Sequence, residues 1–147
     1  MEIQYKISAA HEFEILELLR RTSDRFSPAL ETYVDLKQYA QKIYNNATTF
    51  EAWDGKIFIG FVAAYLNDDE SKQGFITLVV LDEKYASQGI AHQLFNLLIE
   101  QTKKIQYKSL LLEVSPTNEH ALNFYTRFGF LKDGHKDGRV QMKFSVI

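Results

Sequence analysis

Apolar residues recur along this chain in two rhythms, and the switches between them divide it into strands and helices. Ile3, Tyr5 and Ile7 alternate with polar neighbours, the period of a half-buried strand. Over residues 11–21 the spacing changes to that of a helix, carried by Phe13, Leu16 and Leu19. Ser27-Pro28 breaks that helix, residues 36–44 resume the helical pattern, and Asn45-Asn46 ends it. Residues 48–53 and 56–65 are apolar, β-branched and aromatic runs on either side of Asp54-Gly55, which predicts an antiparallel hairpin closed by a two-residue type I′ turn. Trp53, just before that turn, is expected at a sheet edge.

After a polar loop at 67–74, residues 75–81 form a nearly continuous apolar run, as in a strand covered on both faces. Residues 89–103 place Ile90, Leu94, Leu97 and Leu98 on one helical stripe, and residues 109–114 read as a strand. Residues 118–128 carry Ala121, Phe124, Tyr125 and Phe128 at helical spacing, and short strands near Phe130 and over 139–144 close the chain. No repeat, low-complexity segment or linker interrupts this order, so residues 1–147 are expected to be a single domain. The fold class is α/β (α+β), a mixed sheet with helices on both faces.

Composition narrows the function classes. A chain of 147 residues that is 46% apolar, with 11 Phe and 8 Tyr, has enough large side chains for one core and is not a disordered segment. A net charge of -2 leaves no basic stripe for a phosphate backbone, which argues against nucleic acid as a partner. The most apolar stretch, residues 57–66, is interrupted by Gly60 and falls well short of the ~20 residues of a membrane span. The N-terminus lacks the basic start and apolar run of a secretion signal, so a cytoplasmic location is expected. With no cysteine there is no disulfide, thiolate zinc site or Cys nucleophile, and any chemistry falls to carboxylates, histidine and tyrosine. The four histidines have no metal-ligand spacing, and Asp68-Asp69-Glu70 lacks the twelve-residue calcium pattern, so no metal is expected.

The first chemically informative place is the passage from the 75–81 strand through residues 82–91 into the next helix. A strand, a tight turn containing Gly89 and a helix N-terminus present free N–H groups and a positive dipole end, which together suit a phosphate or diphosphate. Gly89 and Ala91 are small enough to let a ligand approach the backbone. The second place lies about thirty residues on: Asn118-x-x-Ala121-x-x-Phe124-Tyr125-x-x-x-Gly129-Phe130. This pattern resembles the C-terminal signature of the GNAT N-acetyltransferase superfamily, and the Gly89-Ile90-Ala91 turn resembles that family's acyl-CoA loop. The loop departs from the family pattern at its first position, where Ala86 stands for the usual Arg or Gln.

The resemblance implies a GNAT-like central sheet of about seven mainly antiparallel strands with about four helices, acetyl-CoA as co-substrate, and an acyl-CoA-dependent N-acetyltransferase activity on the primary amine of a small molecule. It implies that the pantetheine arm pairs with the strand backbone near Val79 and Leu81, and that Ser87, Gln88, Gly89, Ile90 and Ala91 take the diphosphate. Asn118 is implied at a cofactor-bonding position and is also a strong helix N-cap in its own right. Acyl transfer to an amine needs one proton removed from the ammonium and one given to the departing thiolate. Tyr125 matches the family's acid tyrosine, although it also fits a core stripe with Phe124 and Phe128. Phe75 occupies the position where some members carry a catalytic Glu, so another carboxylate must serve, or none.

Glu113 is the candidate base, because the period of two sets it opposite Leu110, Leu112 and Val114, twelve residues before Tyr125. That spacing is similar to the family branch that acetylates ribosomal-protein N-termini; a solvated strand carboxylate, or a water bridged to Tyr65, fits the same pattern. Acceptor specificity in the family comes from the first helices and their connection, which points to Phe26 and Tyr33 together with Tyr65. The absence of an acidic cluster there favours an amino sugar or amino acid derivative over a polyamine. A non-catalytic acyl-CoA-binding module and a protein N-terminal or lysine acetyltransferase are the competing readings, and a homodimer is compatible with all three. A plain nucleotide-binding domain is disfavoured, because neither Gly-x-x-x-x-Gly-Lys nor Gly-x-Gly-x-x-Gly occurs.

Overall fold

The computed structural model describes residues 2–26 and 28–147. Ser27, half of the expected helix breaker, lies outside the described residues. Seven strands form one sheet in the order β1-β2-β3-β4-β5-β7-β6: β1 Ile3–Ile7, β2 Thr48–Asp54, β3 Ile57–Tyr65, β4 Gln73–Leu81, β5 Ser109–Val114, β6 Leu131–Lys136 and β7 Arg139–Ser145. Every neighbouring pair is antiparallel except β4 and β5. Four helices accompany it: α1 Glu12–Thr22, α2 Leu36–Asn46, α3 Ile90–Lys104 and α4 Glu119–Phe128. The mixed, mainly antiparallel sheet with four helices is the architecture expected from the periodicity and the resemblance.

The expected helix over 11–21 starts one residue later, with His11 as its cap; the Glu14 carboxylate accepts from the His11 N–H at 2.9 Å. It ends at Thr22, before Ser27-Pro28, and continues as a 3-10 turn, Ser23–Arg25. The β2–β3 turn differs from expectation in a second way. Asp54 pairs with Ile57, so the two loop residues are Gly55 and Lys56. Of the two only Gly55 has positive φ, +60°, and a glycine at the first central position is the mark of a type II′ turn rather than I′.

The sheet separates two cores. On one face α3 packs Ile90, Leu94, Phe95 and Leu98 against Phe50, Ile59, Val62, Leu110, Leu112 and Met142, with α4 outside them. On the other face α1 and α2 pack Ile15, Leu18, Leu19, Ala40 and Ile43 against Phe58, Phe61, Leu78 and Val80. Trp53 belongs to this second core, stacked on Phe58 with centroids 4.9 Å apart, and is not at a sheet edge. A side chain on one strand should return to the same face every second residue, yet Ile76 lies in the first core and Leu78 in the second. The cause is a bulge: Ala63 pairs with Leu78 and Ala64 with Ile76, leaving Thr77 without a partner on β3.

Glu51 ties the N-terminus to this frame. Fully buried on β2, its carboxylate accepts from the N–H groups of Ala9 and Ala10, from the Thr49 hydroxyl at 2.5 Å and from the Trp53 indole at 3.0 Å. Four donors offset the cost of burying its charge. No helix among the described residues is long and apolar enough to cross a membrane.

Candidate active site

The parallel ladder between β4 and β5 is short. Gln73 pairs with Ser109, Gly74 with Leu110 and Phe75 with Leu111, and there it stops. Both strands continue, β4 to Leu81 along β3 and β5 to Val114 along β7. Beyond Phe75 and Leu111 the sheet therefore opens into a gap whose two walls are strand edges. An antiparallel ladder alternates residues that bond to the neighbour with residues that point away from it. The Asp82 N–H reaches the Ile59 carbonyl on β3 at 2.7 Å, so Val79 and Leu81 turn their backbone groups the other way, into the gap. Unpaired strand groups of this kind are a template for an added extended chain.

At the end of β4 the chain makes a 3-10 turn, Glu83–Tyr85, whose Asp82 cap accepts from the Lys84 N–H at 3.1 Å. Tyr85 fastens this turn to the β2–β3 hairpin by donating to Asp54 Oδ2 at 2.5 Å. The loop then passes through Ser87 (φ +63°) and Gly89 (φ +77°) into α3. Gly89 is the N-cap, and no side chain among the described residues caps the helix, which leaves its first-turn N–H groups open to a ligand. A Cβ built on Gly89 would meet nothing within 4 Å, so the approach to these groups is clear. Ser87, Gln88 and Gly89 are exposed, Ile90 is buried in the core and Ala91 is half-buried. Asn118 caps α4, its Oδ1 accepting from the Ala121 N–H at 3.2 Å.

The proton-transfer candidates lie on opposite faces of β5. Leu110, Leu112 and Val114 enter the core beneath α3, so Glu113 and Leu111 face the α1/α2 side. Glu113 is half-buried, and Gln141 is its partner on β7. Tyr125, on α4, packs on the α3 side against Phe95 and Phe130, with centroids 5.8 Å away in each case. Burial pushes its phenol up to about 12, with the Arg139 charge pulling slightly the other way. Arg139 also donates to the Glu113 carbonyl at 3.2 Å, so one guanidinium serves both neighbourhoods.

Aromatic groups form a wall on the α1/α2 side of the sheet. Tyr65 and Phe75 are partners across β3 and β4. The Tyr65 hydroxyl is buried with no hydrogen-bond partner among the described residues, and Lys42 Nζ stands 5.6 Å from its ring centroid. Tyr33 is 57% exposed at the end of the α1–α2 connection, and Phe26 packs at the margin of the second core. Two residues that the periodicity did not single out complete this wall. Tyr39 on α2 bonds the hydroxyl of Thr77 at 2.8 Å and donates to its carbonyl at 3.1 Å, across the bulge. Burial raises the Tyr39 phenol to about 12, partly countered by the Thr77 bond. Tyr39 read as one more residue of a helical stripe, and the bulge has no signature in local sequence. Among the described residues no group of His, Asp or Glu is arranged to hold a metal ion.

Residues 13–130 match the model of the Acetyltransferase (GNAT) family. The chain belongs to that family. Among curated proteins it is 30% identical over 86 residues to N-alpha-acetyltransferase 30 of Schizosaccharomyces pombe, covering 57% of each chain. It is 26% identical over 84 residues to the spermine/spermidine N(1)-acetyltransferase of Bacillus subtilis, covering 56% of this chain and 55% of the other. The match thus spans just over half the length of these relatives. Among solved structures, the PaiA N-acetyltransferase of Thermoplasma acidophilum in complex with coenzyme A superposes with a TM-score of 0.80 at 15% identity, over 99% of both chains.

Proposed function

We propose that the chain is a cytoplasmic enzyme that transfers an acetyl group from acetyl-CoA to the primary amine of a small molecule, by direct attack in a ternary complex. The observation that carries this is the gap: Val79 and Leu81 direct into it backbone groups that no neighbouring strand pairs, and it ends at the open N-terminus of α3. Val79 and Leu81 would bond the amides of the pantetheine arm as an added strand does. Residues 87–91 would hold the diphosphate on backbone N–H groups, and Asn118 would meet the cofactor from the start of α4. When bound, acetyl-CoA supplies an activated thioester.

Glu113, directly or through a water, takes a proton from the acceptor's ammonium, which frees the nitrogen lone pair to form the new C–N bond. Tyr125 holds its proton throughout the neutral range and gives it to sulfur as the C–S bond breaks. Phe26, Tyr33 and Tyr65 bound the space for the acceptor on the α1/α2 side. This wall is aromatic and carries Lys42, so it suits an amino sugar or amino acid derivative better than a polycation. The Schizosaccharomyces pombe relative keeps a protein N-terminus as the second reading of the acceptor.

The deciding experiment is release of free thiol from acetyl-CoA across a panel of amino sugars, amino acid derivatives, polyamines and N-terminal peptides. Turnover with a small primary amine supports the proposal, turnover with peptides alone replaces the acceptor class, and thiol release with none of them leaves a binding module.

A further inference from the structure

Arg25 closes the 3-10 turn after α1, and its Nη1 donates to the Leu81 carbonyl at 2.6 Å, the carbonyl that points into the gap at its mouth. Arg21, one turn earlier, is differently placed. Its Nη2 donates to the Phe58 carbonyl at 2.8 Å and its Nε lies 3.6 Å from Asp82 Oδ2. That is the one ion pair among the described residues, so Arg25 has no carboxylate partner there. A guanidinium bound only to a neutral carbonyl, at the mouth of a groove, has its charge still to offer.

The loop opposite is short of positive charge. From Ala86 to Ala91 there is no Lys or Arg, and just before it Asp82 and Glu83 outnumber Lys84. The N-terminus of α3 supplies an equivalent of about half a charge, less than a diphosphate carries. On the acyl-CoA reading above, on which this inference rests, the pantetheine arm would also claim the Leu81 carbonyl that Arg25 now holds. We propose that Arg25 is a cofactor-binding residue, which releases Leu81 when the pantetheine amide arrives and pairs with the diphosphate, supplying the cation that the Ala86 loop lacks. The exchange is favourable as written. The carbonyl keeps a donor, and Arg25 trades a neutral acceptor for an anionic one, a hydrogen bond roughly twice as strong.

Calorimetric titration of the parent, Arg25→Gln and Arg25→Lys with coenzyme A, together with pantetheine in competition against coenzyme A, tests this. Arg25→Gln should weaken coenzyme A on the order of tenfold, 1.4 kcal/mol, and leave pantetheine unchanged or slightly tighter. Arg25→Lys should recover part of the loss, and the salt dependence of coenzyme A binding should flatten in the Gln variant. Equal weakening of both ligands, or no change in either, overturns the proposal, and tighter coenzyme A binding would make Arg25 only a competitor for Leu81. Should the Gln variant fold poorly, the Lys variant and the parent's salt dependence decide: a coenzyme A affinity no more salt-sensitive than that of pantetheine overturns it. A parent that binds neither ligand fails the acyl-CoA reading itself, and the role of Arg25 with it, whereas a parent that binds both, matched by Arg25→Gln for each ligand, fails this inference alone.

Discussion

Phe75 and Leu111 face each other on the last rung of the β4–β5 ladder, and beyond them the two strands part. In-register parallel partners share a face of the sheet, so Glu113, two residues past Leu111, looks out on the side where Tyr39 holds Thr77 beside the opening. Tyr125 comes to the same strand from the other side, on α4. Glu113 and Tyr125 thus stand on opposite faces of the sheet, and each can be tested separately.

The gap predicts a ligand-dependent stability. At 100 times its Kd, coenzyme A or acetyl-CoA should add about 2.7 kcal/mol. For a chain of this size that corresponds to a rise on the order of 8 °C in Tm. A thermal melt that is unmoved by saturating cofactor removes the binding assignment of Val79, Leu81 and the 87–91 loop.

Gly89 adopts φ +77° with open space where a Cβ would stand. Gly89→Val should cost about 1–2 kcal/mol of folding stability through the left-handed backbone. It should also place a branched side chain in the path of the diphosphate, so coenzyme A affinity should fall by at least about tenfold. Calorimetry on the folded variant distinguishes the two effects; unchanged affinity would mean that the loop does not approach the cofactor.

Tyr125→Phe keeps the ring in its contacts with Phe95 and Phe130 and removes only the donor. kcat should fall on the order of 10²-fold, with coenzyme A affinity and Tm little altered. The raised phenol value, about 12, favours the neutral form in the fold. Its contribution to stability is therefore complete below the ordinary phenol value of about 10 and lost as pH rises through 12, so no rate change near neutrality should trace to Tyr125. Full activity in the Phe variant would return Tyr125 to a packing role.

Glu113→Gln preserves shape and removes the base. Its rate should be depressed at neutral pH and recover as pH approaches the acceptor's own pKa, where free amine becomes abundant. A pH–rate profile identical to the parent's would falsify the base assignment and leave Glu113 as a solvated strand carboxylate.

Glu51 offers a test of the frame rather than the site. Glu51→Ala leaves the Ala9, Ala10 and Trp53 N–H groups without their shared acceptor, and should cost at least about 3 kcal/mol in urea unfolding. A loss under 1 kcal/mol would show that water replaces the carboxylate.

The elements of this fold were legible in sequence because each is announced by local periodicity and punctuation. Residues 109–114 alternate Leu110, Leu112 and Val114, and β5 has those bounds; Asn118 three residues before Ala121 is a helix cap, and it caps α4. Even Glu113's face follows from a period of two. Where the punctuation is subtle, sequence erred by a residue, as at the β2–β3 turn: Asp54-Gly55 and Gly55-Lys56 are both glycine turns, and only the Asp54–Ile57 pairing separates them. The gap is a different matter. Whether β4 and β5 stay paired past Phe75 depends on which edges meet, on the extra residue at Thr77 and on Tyr39 reaching it from α2, all relations between segments distant in the chain. The same holds for Arg25, which is an ordinary loop cation in sequence and becomes a group at the mouth of the gap only because α1 ends against the end of β4, 56 residues away along the chain. Local sequence sets dihedrals and faces through short-range sterics and burial, whereas a site assembled between strand edges is decided by the packing that brings those edges together.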